Sequence, residues 1–255
     1  MATTSDGKEI IPGLEPWSAD GSDIGVLVVH GFTGAPQSMR GLAEAFAAAG
    51  FTVDLPLLPG HGTSVDDMIT TTWADWSGAA SASYAASAAR TSKVVVAGLS
   101  MGGALTAWLA ARHPEVAGIV CINPVVVRDQ NVVDFATGAL AEGTDRIPAI
   151  GNDVADPAGA EKAYDATPLA PLVSLQEGVG ELEPVLGDVT CPLLLMTSPQ
   201  DHVVPPSNSD ALAVAVAGPV ERLSLERSYH VATLDYDRDL IAEHAVAFAR
   251  KVTSA

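Results

Sequence analysis

The run Lys93-Val-Val-Val-Ala97 leads straight into Gly98-Leu-Ser-Met-Gly102 and then into Ala104-Leu-Thr-Ala-Trp-Leu-Ala-Ala111. A β-branched run, a glycine-flanked serine and a helix-forming segment in immediate succession predict a strand, a sharp turn and a helix, with Ser100 at the apex. Glycine suits positions 98 and 102 because a Cβ two residues from the apex would clash where strand and helix approach. Gly103 adds a third small residue at that crossing. In a chain with 23 glycines the bare spacing is suggestive only, so the flanking elements carry the argument.

Similar alternations recur along the chain. Apolar strand candidates fall at residues 24–30, 52–55, 93–97, 117–122, 193–197 and 221–225, and helical segments at 38–49, 74–90, 101–112, 207–217 and 238–252. Strands alternating with helices predict an α/β fold: a mostly parallel central sheet with helices on both faces. Val26-Leu-Val-Val29 is apolar at consecutive positions, as expected of a strand covered on both sides. Between residues 123 and 189 no clear strand is visible, although the flanking strands should be neighbours. The chain therefore divides into a core of residues 1–122 and 190–255 and an inserted cap of residues 123–189. That insertion leaves the carboxyl end of a strand, the edge at which open α/β sheets bind ligands.

Composition narrows the function. Thirteen basic against 31 acidic residues give a net charge of −18, which repels nucleic acid and anionic lipid headgroups. No leader-like segment and no uninterrupted apolar stretch of membrane-spanning length is present, so a cytoplasmic protein without stable membrane insertion is expected. Cys121 and Cys191 read as reduced, buried thiols, and their spacing does not suggest zinc. Neither a metal nor a cofactor is called for, and monomer and dimer both remain open.

A serine hydroxyl becomes a nucleophile only when a base takes its proton, and that base needs a carboxylate to fix its tautomer. Of six histidines, His230 lies in a loop just past a strand end, within Arg227-Ser-Tyr-His-Val-Ala-Thr233. His30, His61, His113 and His244 have more ordinary settings. Asp201 follows the strand at 193–197 and precedes His230, giving the order Ser, Asp, His. Asp235 and Asp237 are also close to His230 in sequence but come after it. Donors for an oxyanion would be the Met101 amide, at a helix N-terminus, and the Phe32 amide within His30-Gly-Phe-Thr-Gly34.

Together Val29-His-Gly-Phe-Thr-Gly34, Gly60-His-Gly62, Gly98-Leu-Ser-Met-Gly-Gly103, Asp201-His-Val-Val-Pro205 and Ser228-Tyr-His-Val-Ala-Thr-Leu-Asp235 resemble the bacterial monoacylglycerol lipase and carboxylesterase branch of the α/β-hydrolase superfamily. The likeness spans residues 25 to 248. It implies Ser100, Asp201 and His230 as a catalytic triad, Phe32 and Met101 as the oxyanion hole, and the turn around His61 as structural. Asp156-Pro-Ala-Gly-Ala-Glu-Lys-Ala-Tyr164 is similar to the cap segment that directs a glutamate toward glycerol hydroxyls, which places Glu161 there. The resemblance puts Ile150 on the wall of an acyl tunnel. Val132, Val133, Phe135 and Leu140 could help to cover the acyl chain.

The expected activity is cofactor-free hydrolysis of a carboxylic ester, most specifically a monoglyceride, releasing fatty acid and glycerol. A general short-chain carboxylesterase would share the triad, and an acyltransferase would pass the acyl group to an alcohol. A non-catalytic small-molecule-binding protein of the same fold is the alternative of another class.

Overall fold

Nine strands and eight helices organise the chain in a computed structural model that describes residues 2–149 and 151–254. The strands are β1 Trp17–Ala19, β2 Ile24–Val29, β3 Thr52–Leu55, β4 Lys93–Leu99, β5 Gly118–Ile122, β6 Arg146–Pro148, β7 Ala166–Pro168, β8 Leu193–Thr197 and β9 Val220–Ser224. The helices are α1 Pro36–Ala48, α2 Val65–Met68, α3 Trp73–Ala88, α4 Met101–Arg112, α5 Gln130–Ala141, α6 Leu169–Leu182, α7 Ser207–Ala215 and α8 Arg238–Thr253. Seven strands form one sheet in the order β1-β3-β2-β4-β5-β8-β9, parallel except for β1, which pairs antiparallel with β3.

Alternation within the central strands fills two cores. Leu27 and Val29 of β2 face the side covered by α3, α4 and α6, with Trp76, Leu105, Leu109 and Val179 among the buried contacts. Val26 and Val28 face α1 and α8, against Met39, Phe46, Ile241 and Phe248. Both faces are buried, so the strands read as unbroken apolar runs.

All six strands expected from the sequence are present, with end shifts of one or two residues. Strand β1 is an addition: three residues, Trp-Ser-Ala, on the outer edge of the sheet carry too little periodicity to stand out. The insertion, expected to lack strands, contains β6 and β7, which pair antiparallel with Ile147 opposite Thr167. Three-residue strands that each end in proline escape any pattern of alternation. After them, α6 and a 3₁₀ turn, Glu183–Asp188, bury Leu175, Val179, Leu182 and Leu186 in the same cluster as the sheet.

After the edge strand β1 the chain lays down β2 inside the sheet, moves outward to β3, which pairs with both, and crosses back to β4. This reversal between β2 and β4 opens a crevice at their carboxyl ends, where α/β sheets bind ligands. In the β2–β4 register Val29 lies opposite Gly98. The loop that leaves β2 and the turn that leaves β4 therefore start side by side.

Candidate active site

Ser100 sits between β4 and α4 with φ 57° and ψ −118°, a conformation that L residues avoid and that costs on the order of 1–3 kcal/mol. Its N–H donates to the Ile122 carbonyl at 3.0 Å, and its carbonyl accepts from Ala104 N–H at 3.1 Å. Glycine is required on both sides. A Cβ on Gly98 would lie 2.1 Å from the Gly102 carbonyl oxygen, and one on Gly102 would lie 2.2 Å from that of Val29. The turn is tight enough to hold the strained serine at the head of α4, with the Met101 amide at the positive end of the helix dipole.

The loop after β2 passes close to that serine: a Cβ on Gly31 would stand 3.4 Å from Ser100 Cβ. Its backbone is held by His30. Leu58 N–H donates to His30 Nε2 at 3.1 Å, so the proton of the neutral ring is on Nδ1, which donates to the Gly31 carbonyl at 2.9 Å. Fixing that carbonyl fixes the trans peptide to which the Phe32 N–H belongs. Burial, together with the charge of His61, holds His30 down at about 3, and burial lowers His61 to about 4, so both rings are neutral near pH 7. His61 donates from Nδ1 to the Pro59 carbonyl and packs edge-on to Phe32 and Trp76, a structural role consistent with the Gly60–Gly62 turn. His113 stacks on Tyr84 and His244 is exposed on α8.

His230 Nδ1 and Asp201 Oδ2 are 2.7 Å apart, and both side chains are almost fully buried. The other carboxylate oxygen of Asp201 accepts from Val203 and Val204 N–H at 2.8 Å each. An acceptor-only carboxylate places the proton on His230 Nδ1 and leaves Nε2 as the basic nitrogen. The competing acids are engaged elsewhere. Asp235 accepts the backbone N–H groups of Ala155, Asp156, Tyr229 and Tyr236, and Asp237 accepts from Arg227 N–H and Ser228 Oγ.

Asn123, unremarked in the sequence, connects these loops. It follows β5 with φ 44°, and its side-chain oxygen accepts Ser198 N–H at 2.7 Å while its Nδ2 donates to the His230 carbonyl at 2.8 Å. The available signal is its place directly after an apolar strand, because asparagine tolerates positive φ better than other side chains.

Glu161 reaches the same cleft from the stretch between β6 and β7. The side chain of Gln37 grips its backbone on both sides, donating to the Ala160 carbonyl and accepting from Lys162 N–H, each at 3.0 Å. Asn152 Oδ1 accepts the Glu161 N–H at 3.1 Å. Tyr164 N–H donates to the Thr33 carbonyl of the β2 loop, and its hydroxyl donates to the Gly60 carbonyl. Burial raises the Glu161 carboxyl above the ordinary carboxylate range, and the charge of His230 and the Ser38 hydroxyl partly offset that rise. Of the cap residues expected near an acyl chain, Val132, Val133 and Leu140 are half-buried and Phe135 is 57% exposed. Ile150 lies outside the described residues. Among the described residues no three His, Cys, Asp or Glu side chains converge as a metal would need, and no helix is long and apolar enough to cross a membrane.

Residues 25–146 match the model of the alpha/beta hydrolase fold family. The chain is 42% identical over 250 residues to a thermostable monoacylglycerol lipase of Bacillus sp. (strain H-257), covering 97% of this chain and 98% of that protein. It is 25% identical over 240 residues to a carboxylesterase of Bacillus subtilis (strain 168), covering 93% and 97%. A solved structure from work on LipS and LipT, two metagenome-derived lipolytic enzymes, superposes with a TM-score of 0.90 at 43% identity, covering 95% of this chain and all of that one. The chain belongs to the α/β-hydrolase family, in its bacterial lipase and esterase branch, and is a carboxylic ester hydrolase.

Proposed function

We propose that this protein hydrolyses monoacylglycerols in the cytoplasm through an acyl-enzyme on Ser100, beneath a cap formed by residues 123–189. The observation that supports this reading is the 2.7 Å Asp201–His230 hydrogen bond on the loops after β8 and β9, taken with the strained Ser100 turn after β4 and the Glu161 carboxylate set against Gly34 of the loop after β2. In the first half-reaction His230 Nε2 takes the Ser100 proton as Oγ attacks the ester carbonyl. The Phe32 and Met101 amides stabilise the oxyanion, and the tetrahedral adduct collapses as His230 protonates the departing glycerol oxygen. Water then repeats the sequence on the acyl-enzyme and frees the fatty acid. Asp201 keeps His230 in the required tautomer and balances its charge while it carries the proton.

Alcohol selectivity is assigned to Glu161. A partly buried carboxylate can accept hydrogen bonds from the free hydroxyls of a monoglyceride, and a simple ester has nothing to offer it. Val132, Val133 and Leu140 are proposed to line the acyl side. Support for this substrate comes from the Bacillus sp. relative, and the second relative favours a general carboxylesterase that uses the same triad.

Two measurements test the proposal. Ser100→Ala should abolish both p-nitrophenyl butyrate turnover and labelling by a fluorophosphonate; turnover at the wild-type rate would rule the triad out. Glu161→Gln should lower the ratio of monoglyceride to p-nitrophenyl ester kcat/KM by about tenfold, the weight of a charged hydrogen bond. An unchanged ratio would favour the general carboxylesterase.

A further inference from the structure

Asp153 lies on the strap between β6 and β7, yet it binds both loops that carry the acid and the base. Its Oδ2 accepts the backbone N–H of His230 at 3.0 Å and that of His202 at 3.2 Å. Its own carbonyl accepts the N–H of Val231 at 3.1 Å. Its Oδ1 stands 2.8 Å from Nδ1 of His202, whose ring packs edge-on to Tyr229 with centroids 4.6 Å apart. The side chain is only 12% exposed. His202 follows Asp201 directly and Tyr229 precedes His230, so one carboxylate brackets the backbones of both partners of the 2.7 Å Asp201–His230 contact.

The geometry points to Asp153 as a positioning residue that sets the separation between the Asp201 and His230 loops, and through it the aim of His230 Nε2 at Ser100. This inference rests on the triad assigned above. The loops leave the sheet at β8 and β9, adjacent strands whose pairing fixes the start of each loop but not its tip. Asn123 ties Ser198, directly after β8, to the His230 carbonyl, and Asp153 adds a second tie farther along the first loop, between the N–H groups of His202 and His230. An error of about 1 Å in a proton-transfer geometry can cost about 100-fold in rate. A bracket of this kind therefore acts on kcat without touching substrate.

The role is geometric, so an isosteric amide should fill it. In Asp153→Asn the side-chain oxygen can take the two backbone N–H groups and the NH₂ can donate to an unprotonated His202 Nδ1. We expect Asp153→Ala to lower kcat for p-nitrophenyl butyrate by about 10- to 100-fold with KM changed less than about threefold. Asp153→Asn and His202→Ala should each stay within about threefold of wild type, because each leaves the backbone bracket intact. The low-field proton resonance of the His230–Asp201 hydrogen bond should shift or broaden in Asp153→Ala and stay in place in Asp153→Asn; a contribution to overall stability alone would not move it. If Asp153→Ala does not fold, Asp153→Ser is read in its place by the same measurements.

Three results would overturn the inference: a rise in KM with kcat kept, which would assign Asp153 to the substrate wall beside Glu161; losses in Asp153→Asn as large as in Asp153→Ala, which would make charge the operative property; or an unmoved resonance with wild-type kcat in Asp153→Ala. Turnover retained by Ser100→Ala would instead sink the triad itself, and that experiment is independent of residue 153.

Discussion

The carboxylate of Glu161 lies directly against the backbone of Gly34: a Cβ at position 34 would stand 2.6 Å from Glu161 Oε1. Gly34 is not in the left-handed region, so alanine is compatible with its backbone, and the atom it would meet is the tip of a flexible side chain. Gly34→Ala should therefore cost less than about 1 kcal/mol in urea unfolding while pushing the carboxylate out of place. The ratio of monoglyceride to p-nitrophenyl butyrate kcat/KM should fall as it does in Glu161→Gln. A ratio held at the wild-type value by a folded Gly34→Ala variant would show that the position of Glu161 does not set alcohol selectivity.

Gly98 and Gly102 present the opposite case, because the obstructing atoms are backbone carbonyls within the sheet and the adjoining helix. Added methyl groups at 2.1 and 2.2 Å from them force strand and helix apart. Gly98→Ala and Gly102→Ala should each destabilise the protein by about 2 kcal/mol or more and abolish fluorophosphonate labelling at Ser100. By contrast Gly78→Ala, where a Cβ meets nothing within 4 Å in the middle of α3, should leave stability equal to or slightly above wild type. Equal urea midpoints for all three variants would contradict the steric account of the turn.

Asn123 separates backbone strain from side-chain bridging. Asn123→Gly preserves the positive φ at no steric cost and removes only the carboxamide. Losing the bonds to Ser198 N–H and the His230 carbonyl should cost about 2–3 kcal/mol and lower kcat more than it raises KM. Asn123→Ala adds the strain of φ 44° to the same loss and should be less stable than Asn123→Gly by about 1 kcal/mol. The reverse order of stabilities would show that the backbone there is not strained.

How far each feature can be read from the chain depends on how it is encoded. Ser100, Asp201 and His230 are legible because strand ends recur in a fixed chain order and the glycines around Ser100 answer a steric demand that spacing reveals. Glu161 is legible only through resemblance, since a glutamate between two turns has no pattern of its own. The strap that carries Asn152, Asp153 and Glu161 shows no strand in its sequence. Its shape is set by bonds from Gln37, Asp235 and Tyr164 to distant backbone groups, and no local periodicity records those bonds. Asn123 and Asp153 are hidden for the same reason: a polar residue that serves another loop's backbone looks like any other loop residue.

The two buried imidazoles at the loop that follows β2, His30 and His61, make stability depend on pH. Burial depresses His30 to about 3 and His61 to about 4 from an ordinary 6.5, with His61's charge adding to the effect at His30. As pH falls below 6.5 the unfolded chain takes up two protons that the folded chain refuses, so the stability they allow is complete above 6.5 and is lost progressively toward pH 4. Together they should remove about 6 kcal/mol between pH 7 and 4, because each tenfold difference in proton affinity between the folded and unfolded chain is worth about 1.4 kcal/mol. His61→Gln cannot titrate and can still donate to the Pro59 carbonyl, so its urea-derived stability should fall more gently over the same range, by about one proton's slope. Parallel stability curves for the wild type and His61→Gln between pH 7 and 4 would refute the assignment of that slope to His61.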